Sequence, residues 1–263
     1  MIAYNFMLII LYKMEIISII IFIEGNINFK NVCFSYDEKN IFNDLSFDIT
    51  SGSSVAFVGE SGSGKSTIVK QIIGLLKPDS GKICIGENDL SKLNLNNFYN
   101  YISYTSQESP VFDGTLRENM IFDKSIPDQK IIEVLKQVEL TEFYYNLPKG
   151  LDTEVGERGI KLSGGERQRL ALARVFFQKT QIVILDEATS AMDNVTEESV
   201  MKNLMSFLKN KTIITIAHRL STIKNADKIY AFKHGKIVGE GSFKGLLEHN
   251  QYFGELWNDR MED

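Results

Sequence analysis

The run Gly59-Glu60-Ser61-Gly62-Ser63-Gly64-Lys65-Ser66-Thr67 has the spacing G-x-x-x-x-G-K-[ST], and the unbroken apolar stretch Val55-Ala56-Phe57-Val58 precedes it. Such a stretch suits a strand buried on both faces. Behind the run, Ile68, Ile72 and Leu75 recur at helical spacing, so the sequence predicts strand, loop and helix in that order. In that setting the pattern describes a phosphate-cradling loop. Gly59, Gly62 and Gly64 permit backbone angles that side chains forbid. The N–H groups of the run, including those of Glu60, Ser61, Ser63 and Thr67, can then turn inward at the positive end of the next helix. Lys65 can reach the β and γ phosphates of a nucleotide, and Ser66 supplies a hydroxyl to Mg²⁺.

The other half of such a site is an acidic residue ending a second buried strand. Ile182-Val183-Ile184-Leu185-Asp186-Glu187 supplies it. Asp186 would hold Mg²⁺ through its water shell, and Glu187 is placed to take a proton from an attacking water or to polarise it.

A third run, Leu162-Ser163-Gly164-Gly165-Glu166-Arg167-Gln168-Arg169, opens a helix that continues through Leu170 and Leu172. Gly164 and Gly165 bare backbone N–H groups at its start, and Ser163 can cap it. With all three runs in view, the chain resembles the ATP-binding cassette (ABC) ATPases from about residue 25 to its C-terminus. The third run looks like that family's signature sequence, which faces the phosphate loop of a second subunit. The resemblance thus implies that Ser163, Gly164 and Gly165 contact the γ-phosphate of ATP held by a partner.

Further positions follow from the resemblance. Tyr36 in Phe34-Ser35-Tyr36 matches the aromatic that stacks on adenine. Gln107, after an expected strand over residues 101–105, matches the glutamine that reaches Mg²⁺ and the attacking water. His218, closing Ile213-Ile214-Thr215-Ile216-Ala217, matches the histidine at the γ-phosphate. Ser190-Ala191-Met192-Asp193 resembles the loop that crosses the dimer interface, with Met192 where Leu is usual, an exchange that keeps volume and apolarity. Since none of the catalytic positions is degenerate, the resemblance implies an active ATPase, with a homodimer of two working sites as the simplest assembly.

Thr153-Glu154-Val155-Gly156-Glu157-Arg158-Gly159 resembles the segment of ABC exporters that touches the cytoplasmic loops of the membrane domain. Phe112-Asp113-Gly114-Thr115-Leu116-Arg117-Glu118-Asn119 is similar to the exporter helical subdomain. Export therefore leads, with a membrane domain supplied by another chain or missing from this one, at the cytoplasmic face of the cell membrane. Soluble members of the superfamily in DNA repair or chromosome organisation need a long coiled-coil or zinc-bearing insertion between the two glycine-rich runs. Only a compact helical stretch lies there. A non-hydrolysing regulatory subunit is disfavoured by the intact Glu187 and His218.

The chain of 263 residues is long enough for one substantial α/β core, and its net charge of −5 offers no general attraction to nucleic acid. Cys33 and Cys84 fall within expected strands, far from any second Cys at metal-ligand spacing, and read as reduced core residues; His234 and His249 read as surface residues. Ile27, Phe29, Val32 and Phe34 alternate with one slip near Asn31, and Leu45, Phe47 and Ile49 alternate again. These predict an antiparallel β subdomain beside the parallel nucleotide-binding core. Pro127-Asp128 opens a helix bearing Ile131, Leu135 and Val138, the sign of an α-helical subdomain.

Residues 24–263 thus form the expected cassette. Residues 1–23 are almost wholly apolar, but Lys13 and Glu15 divide them into residues 2–12 and 16–23. Neither piece reaches the roughly 20 residues needed to cross a bilayer. The segment reads as a junction to a membrane domain, an interfacial anchor, or an upstream extension that is never translated.

Overall fold

The computed structural model describes residues 25–121, 125–217 and 219–258. The expectations for residues 1–23 and for His218 lie outside the described residues.

β1 (Ile27–Tyr36) and β2 (Lys39–Ile49) pair antiparallel. Their register shifts between Phe29 and Val32, where Asn31 adopts φ 50°, and this bulge is the slip visible in the sequence pattern. It keeps Phe29, Val32 and Phe34 buried across an odd spacing. β3 (Ser54–Gly59) then starts a second sheet, while β4 (Ser80–Ile85) and β5 (Asn88–Asp89) return to the first in the order β2-β1-β4-β5. Cys84 on β4 is buried as expected. Cys33 is not core: the bulge turns it aside, half-buried, where its sulfur accepts the Asp44 N–H at 3.4 Å.

β6 (Ile102–Thr105) joins the second sheet, and β7 (Gly114–Thr115) pairs only with β8 (Glu154–Val155). With β9 (Ile182–Asp186), β10 (Thr212–Ile216), β11 (Lys228–Lys233) and β12 (Lys236–Gly241), the second sheet runs β12-β11-β3-β10-β9-β6. All its pairings are parallel except β11 with β12. Its central strands are buried on both faces. Along β9, Ile182 and Ile184 face the core shared with the antiparallel sheet, and Val183 and Leu185 face the helical core. This two-sided burial is why those strands read as continuous apolar runs rather than alternating ones.

The helical lobe contains Leu116–Met120, Asp128–Gln137 and Thr141–Tyr145, packed with the helices Gly164–Val175 and Asn194–Phe207. Pro127 is the N-cap of Asp128–Gln137, and Ile131, Leu135 and Val138 are fully buried, as expected.

The helix after the phosphate loop, Lys65–Ile72, is shorter than the apolar spacing suggested. Gly74 closes its end by donating to the Gln71 carbonyl at 3.0 Å, leaving Leu75 beyond it and 64% exposed. Gln71 of this helix is fully buried with neither amide atom hydrogen-bonded. A buried unsatisfied polar group costs about 1–3 kcal/mol. Gln71→Met should therefore raise stability by about 1 kcal/mol, seen as a higher urea midpoint at unchanged m.

Candidate active site

The registers put the working ends of four strands on one edge. Ile216 lies opposite both Phe57 and Asp186, and Thr105 lies opposite Leu185. The phosphate loop after β3, Ala217 after β10, Asp186-Glu187 at the end of β9 and Gln107 after β6 therefore open on the same side. That is the carboxyl edge where open parallel sheets bind ligands.

The loop itself is shaped for anionic oxygens. Gly59 has φ 147°, and a Cβ there would stand 2.2 Å from the Phe232 carbonyl oxygen. Gly64 has φ 106°, and a Cβ there would press on the Phe42 ring at 2.6 Å. Gly64 is also the N-cap of the helix Lys65–Ile72 and has no side chain with which to cap it, so the first-turn amides point into the loop. Lys65 is buried, with Nζ donating to the carbonyls of Gly59 and Glu60, each at 2.8 Å, and to Ser63 Oγ at 3.3 Å. The ammonium thus braces the same loop whose phosphate it would neutralise. Ser66 is exposed at the helix start, and Thr67 is buried behind it.

Across the strands, Gln107 Nε2 donates to Glu187 Oε2 at 2.9 Å. Tyr104 donates its hydroxyl to Asp186 Oδ2 at 3.1 Å. Burial raises the pKa of Asp186; the Tyr104 hydrogen bond lowers it, the Glu187 charge raises it, and the charges of Lys65 and Lys70 lower it. Burial and the neighbouring Asp186 carboxylate push the Tyr104 phenol upward. Glu187 has φ 50°, a left-handed conformation rare outside glycine, and its N–H donates to the Ile216 carbonyl at 3.0 Å. Backbone strain held at a candidate catalytic carboxylate points to a functional constraint on its direction.

These residues suit a magnesium nucleotide. The Ser66 hydroxyl, the Gln107 amide oxygen and the Asp186 carboxylate are hard oxygen donors, the kind that Mg²⁺ takes. Among the described residues no group of three His, Cys, Asp or Glu could hold a metal. Three side-chain oxygens would leave the other positions of an octahedral ion to phosphate oxygens and water.

Tyr36 ends β1, 40% exposed, with its ring edge-on to Phe34 at 4.9 Å. Phe34 pairs with Phe42, whose ring backs Gly64, so the antiparallel sheet sets Tyr36 on the loop's side. Ser163 caps the helix Gly164–Val175 in a reciprocal box with Glu166. The glycines beside it allow a close approach: a Cβ at Gly164 would lie 3.3 Å from Ala191 Cβ, and one at Gly165 would lie 3.0 Å from the Ala191 carbonyl oxygen. Gln168 of the same helix accepts the Ala191 N–H at 2.8 Å and donates to Ser190 Oγ at 2.9 Å. The signature helix is therefore tied to the turn that begins at Glu187.

Residues 42–190 match the family described as ABC transporter, more than half of the chain. The chain belongs to the ABC transporter family. It is similar to the ATP-dependent permease MDL1 of Candida albicans, 44% identical over 243 residues, which cover 89% of this chain and 36% of that protein. The mitochondrial iron-sulfur clusters transporter ATM1 of the same yeast is 42% identical over 240 residues, with coverage of 89% and 32%. A solved structure of a bacterial Atm1-family ABC exporter with ATP bound superposes with a TM-score of 0.84 at 36% identity, covering 90% of this chain and 42% of that one. The chain thus spans between 32% and 42% of the length of these relatives. It is an ABC ATPase domain of the exporter type.

The two exporter-like stretches of this ABC domain prove to be one unit. Gly114 pairs with Val155 and Thr115 with Glu154, and the Leu116 N–H donates to the Thr153 carbonyl at 2.9 Å. Arg158 is exposed and held by Asp113, to whose carboxylate its backbone N–H donates at 3.2 Å. Arg174 of the signature helix reaches the carbonyls of Asn119 at 2.7 Å and Pro110 at 2.9 Å, and its side chain stacks on Phe112. The segment after Gln107 is in this way fastened to the signature helix. Met192 is buried in the helical core, while Ser190 and Ala191 before it are exposed.

Proposed function

We propose that the chain hydrolyses ATP as one of two cassettes that close head to tail, and that this closure powers export through a membrane-spanning part outside the described residues. The reading rests on one observation above all: Gln107 is hydrogen-bonded to Glu187, next to Asp186, on the strand edge that also carries Lys65. Lys65 and the loop amides bind the phosphates, and the Tyr36 ring offers a face to adenine. Ser66, Gln107 and Asp186 are the residues that would hold Mg²⁺, whose charge supports phosphoryl transfer. Glu187 orients a water and takes its proton, with Gln107 fixing the direction of the carboxylate. His218 is proposed for the γ-phosphate on the strength of its sequence position alone.

The partner cassette, a second copy of this chain in the simplest case, supplies Ser163, Gly164 and Gly165 to the far side of the phosphates. Among the described residues no helix is long and apolar enough to cross a membrane. The translocation path we propose lies in a membrane domain, with this cassette at its cytoplasmic face. Relatives named as a permease and a transporter support the membrane domain; the cytoplasmic side is part of the proposal.

Phosphate release by the purified chain tests the reading, with chelation of Mg²⁺ expected to abolish it. The composite site is tested by Gly164→Asp. A Cβ there would stand 3.3 Å from Ala191 Cβ, so the helix start must give by a few tenths of an ångström; the fold and single-cassette ATP binding, checked by the thermal transition and by calorimetry, should persist. A carboxylate facing a γ-phosphate across a closed interface costs several kcal/mol, and turnover should fall by about a hundredfold or more. Retained turnover would place the whole site within one chain.

A further inference from the structure

Glu197 lies in the first turn of the helix Asn194–Phe207, where a charged residue ordinarily faces water, yet its side chain is 2% exposed. Its Oε1 accepts the hydroxyls of Thr189 at 2.9 Å and Thr222 at 3.0 Å, and its Oε2 accepts Arg219 Nη1 at 2.9 Å. These donors come from two separate segments. Thr189 sits on the turn that begins at Glu187. Arg219 and Thr222 sit on the segment leaving β10, directly after His218 in the chain. Arg219 adds a second link by donating Nη2 to the Ser190 carbonyl at 3.1 Å.

Between the two segments is a cavity of about 220 Å³, lined by Glu187, Thr189 and Ser190 on one side and by Ala217, Arg219 and Thr222 on the other. Close packing does not fill the space between them; beyond the β9–β10 pairing that ends at Asp186 and Ile216 and the Glu187 N–H bond to the Ile216 carbonyl, the side-chain hydrogen bonds across the gap set their separation. Stability alone does not call for an ion pair here, because a well-packed apolar residue serves a buried position as well or better. An apolar residue could not accept from hydroxyl and guanidinium donors on two segments at fixed lengths.

We infer that Glu197 is a positioning residue whose carboxylate latches the turn carrying Glu187 to the segment that follows β10, so holding Glu187 in its left-handed conformation. The inference rests on the reading of Glu187 as the catalytic carboxylate. Its action is on geometry, since Glu197 itself touches neither phosphate loop nor signature.

Glu197→Gln keeps the size of the side chain but weakens the Arg219 link and can no longer accept from every donor. In the intact chain kcat should fall by about tenfold to a hundredfold, the scale of a misplaced catalytic group, with KM for ATP unchanged within about twofold. In a Glu187→Gln background, followed by single turnover of labelled ATP, the same substitution should cause no further loss, because the group it positions is already gone. Hydrogen exchange gives a readout independent of turnover: amides of residues 187–191 and 219–223 should exchange faster together, with residues 59–67 unaffected. A parental kcat, an equal fractional loss in both backgrounds, or faster exchange in only one segment would overturn the latch. If the parent chain shows no turnover, the catalytic reading of Glu187 fails, and the exchange pattern still decides whether Glu197 joins the segments. Should Glu197→Gln not fold, Thr222→Val removes one donor and leaves the ion pair, with an expected loss of about fivefold in kcat. Parental kcat and exchange in that variant would overturn the inference equally.

Discussion

Lys65→Ala should weaken ATP binding by about a hundredfold or more, because it removes charge-assisted hydrogen bonds to phosphate worth roughly 1.5–3 kcal/mol each. The structure adds a second reason. Lys65 Nζ also donates to the carbonyls of Gly59 and Glu60 and to Ser63 Oγ, so the alanine variant loses the brace of the loop along with the phosphate partner. Those contacts are local to the loop, and the rest of the domain should fold as before. Isothermal calorimetry with the folded variant, its thermal transition checked alongside, measures the effect. Normal affinity would mean that the phosphates bind elsewhere.

The parts of this site that are legible in the sequence are those in which chemistry is written into neighbouring residues. The phosphate loop needs glycines at fixed offsets because its backbone is bent locally, as φ 147° at Gly59 and 106° at Gly64 show. Asp186 and Glu187 are legible because they end a strand that is apolar on both faces. The bulge at Asn31 is legible because it breaks an alternation that burial otherwise enforces.

What the sequence hides is the set of contacts between distant segments. Tyr104 on β6 reads as an ordinary strand aromatic until its hydroxyl is seen on Asp186, across 82 residues of chain. Nothing in residues 162–169 signals that the Gln168 amide bonds to Ser190 and Ala191, more than twenty residues on. Glu197 carries the least signal of all, since an acidic residue in a first helical turn is what the helix dipole favours anyway. The residues 112–119 and 153–159 look like independent signs of an exporter, and only strand pairing shows that they support one another. Helix ends are equally hidden: Leu75 keeps the apolar period of its helix after the backbone has left it.

Glu187→Gln should separate binding from turnover. The substitution keeps the size of the side chain and an oxygen that can still accept from Gln107 Nε2, so the hydrogen bond seen at 2.9 Å can persist. It removes the carboxylate that would take a proton from water, and losing general base help lowers rates by about 10²–10⁴-fold. Lys65, Ser66 and Asp186 are untouched, so Mg-ATP should bind as in the parent. The cassettes would then close around ATP and fail to reopen, because reopening follows hydrolysis. An ATP-dependent dimer should appear in size exclusion or light scattering of the variant, with the parent remaining monomeric under turnover. If the variant stays monomeric at saturating Mg-ATP, closure of the isolated chain requires the membrane domain. If it hydrolyses ATP at the parental rate, Glu187 is not the catalytic carboxylate, and the left-handed turn at φ 50° serves some other end.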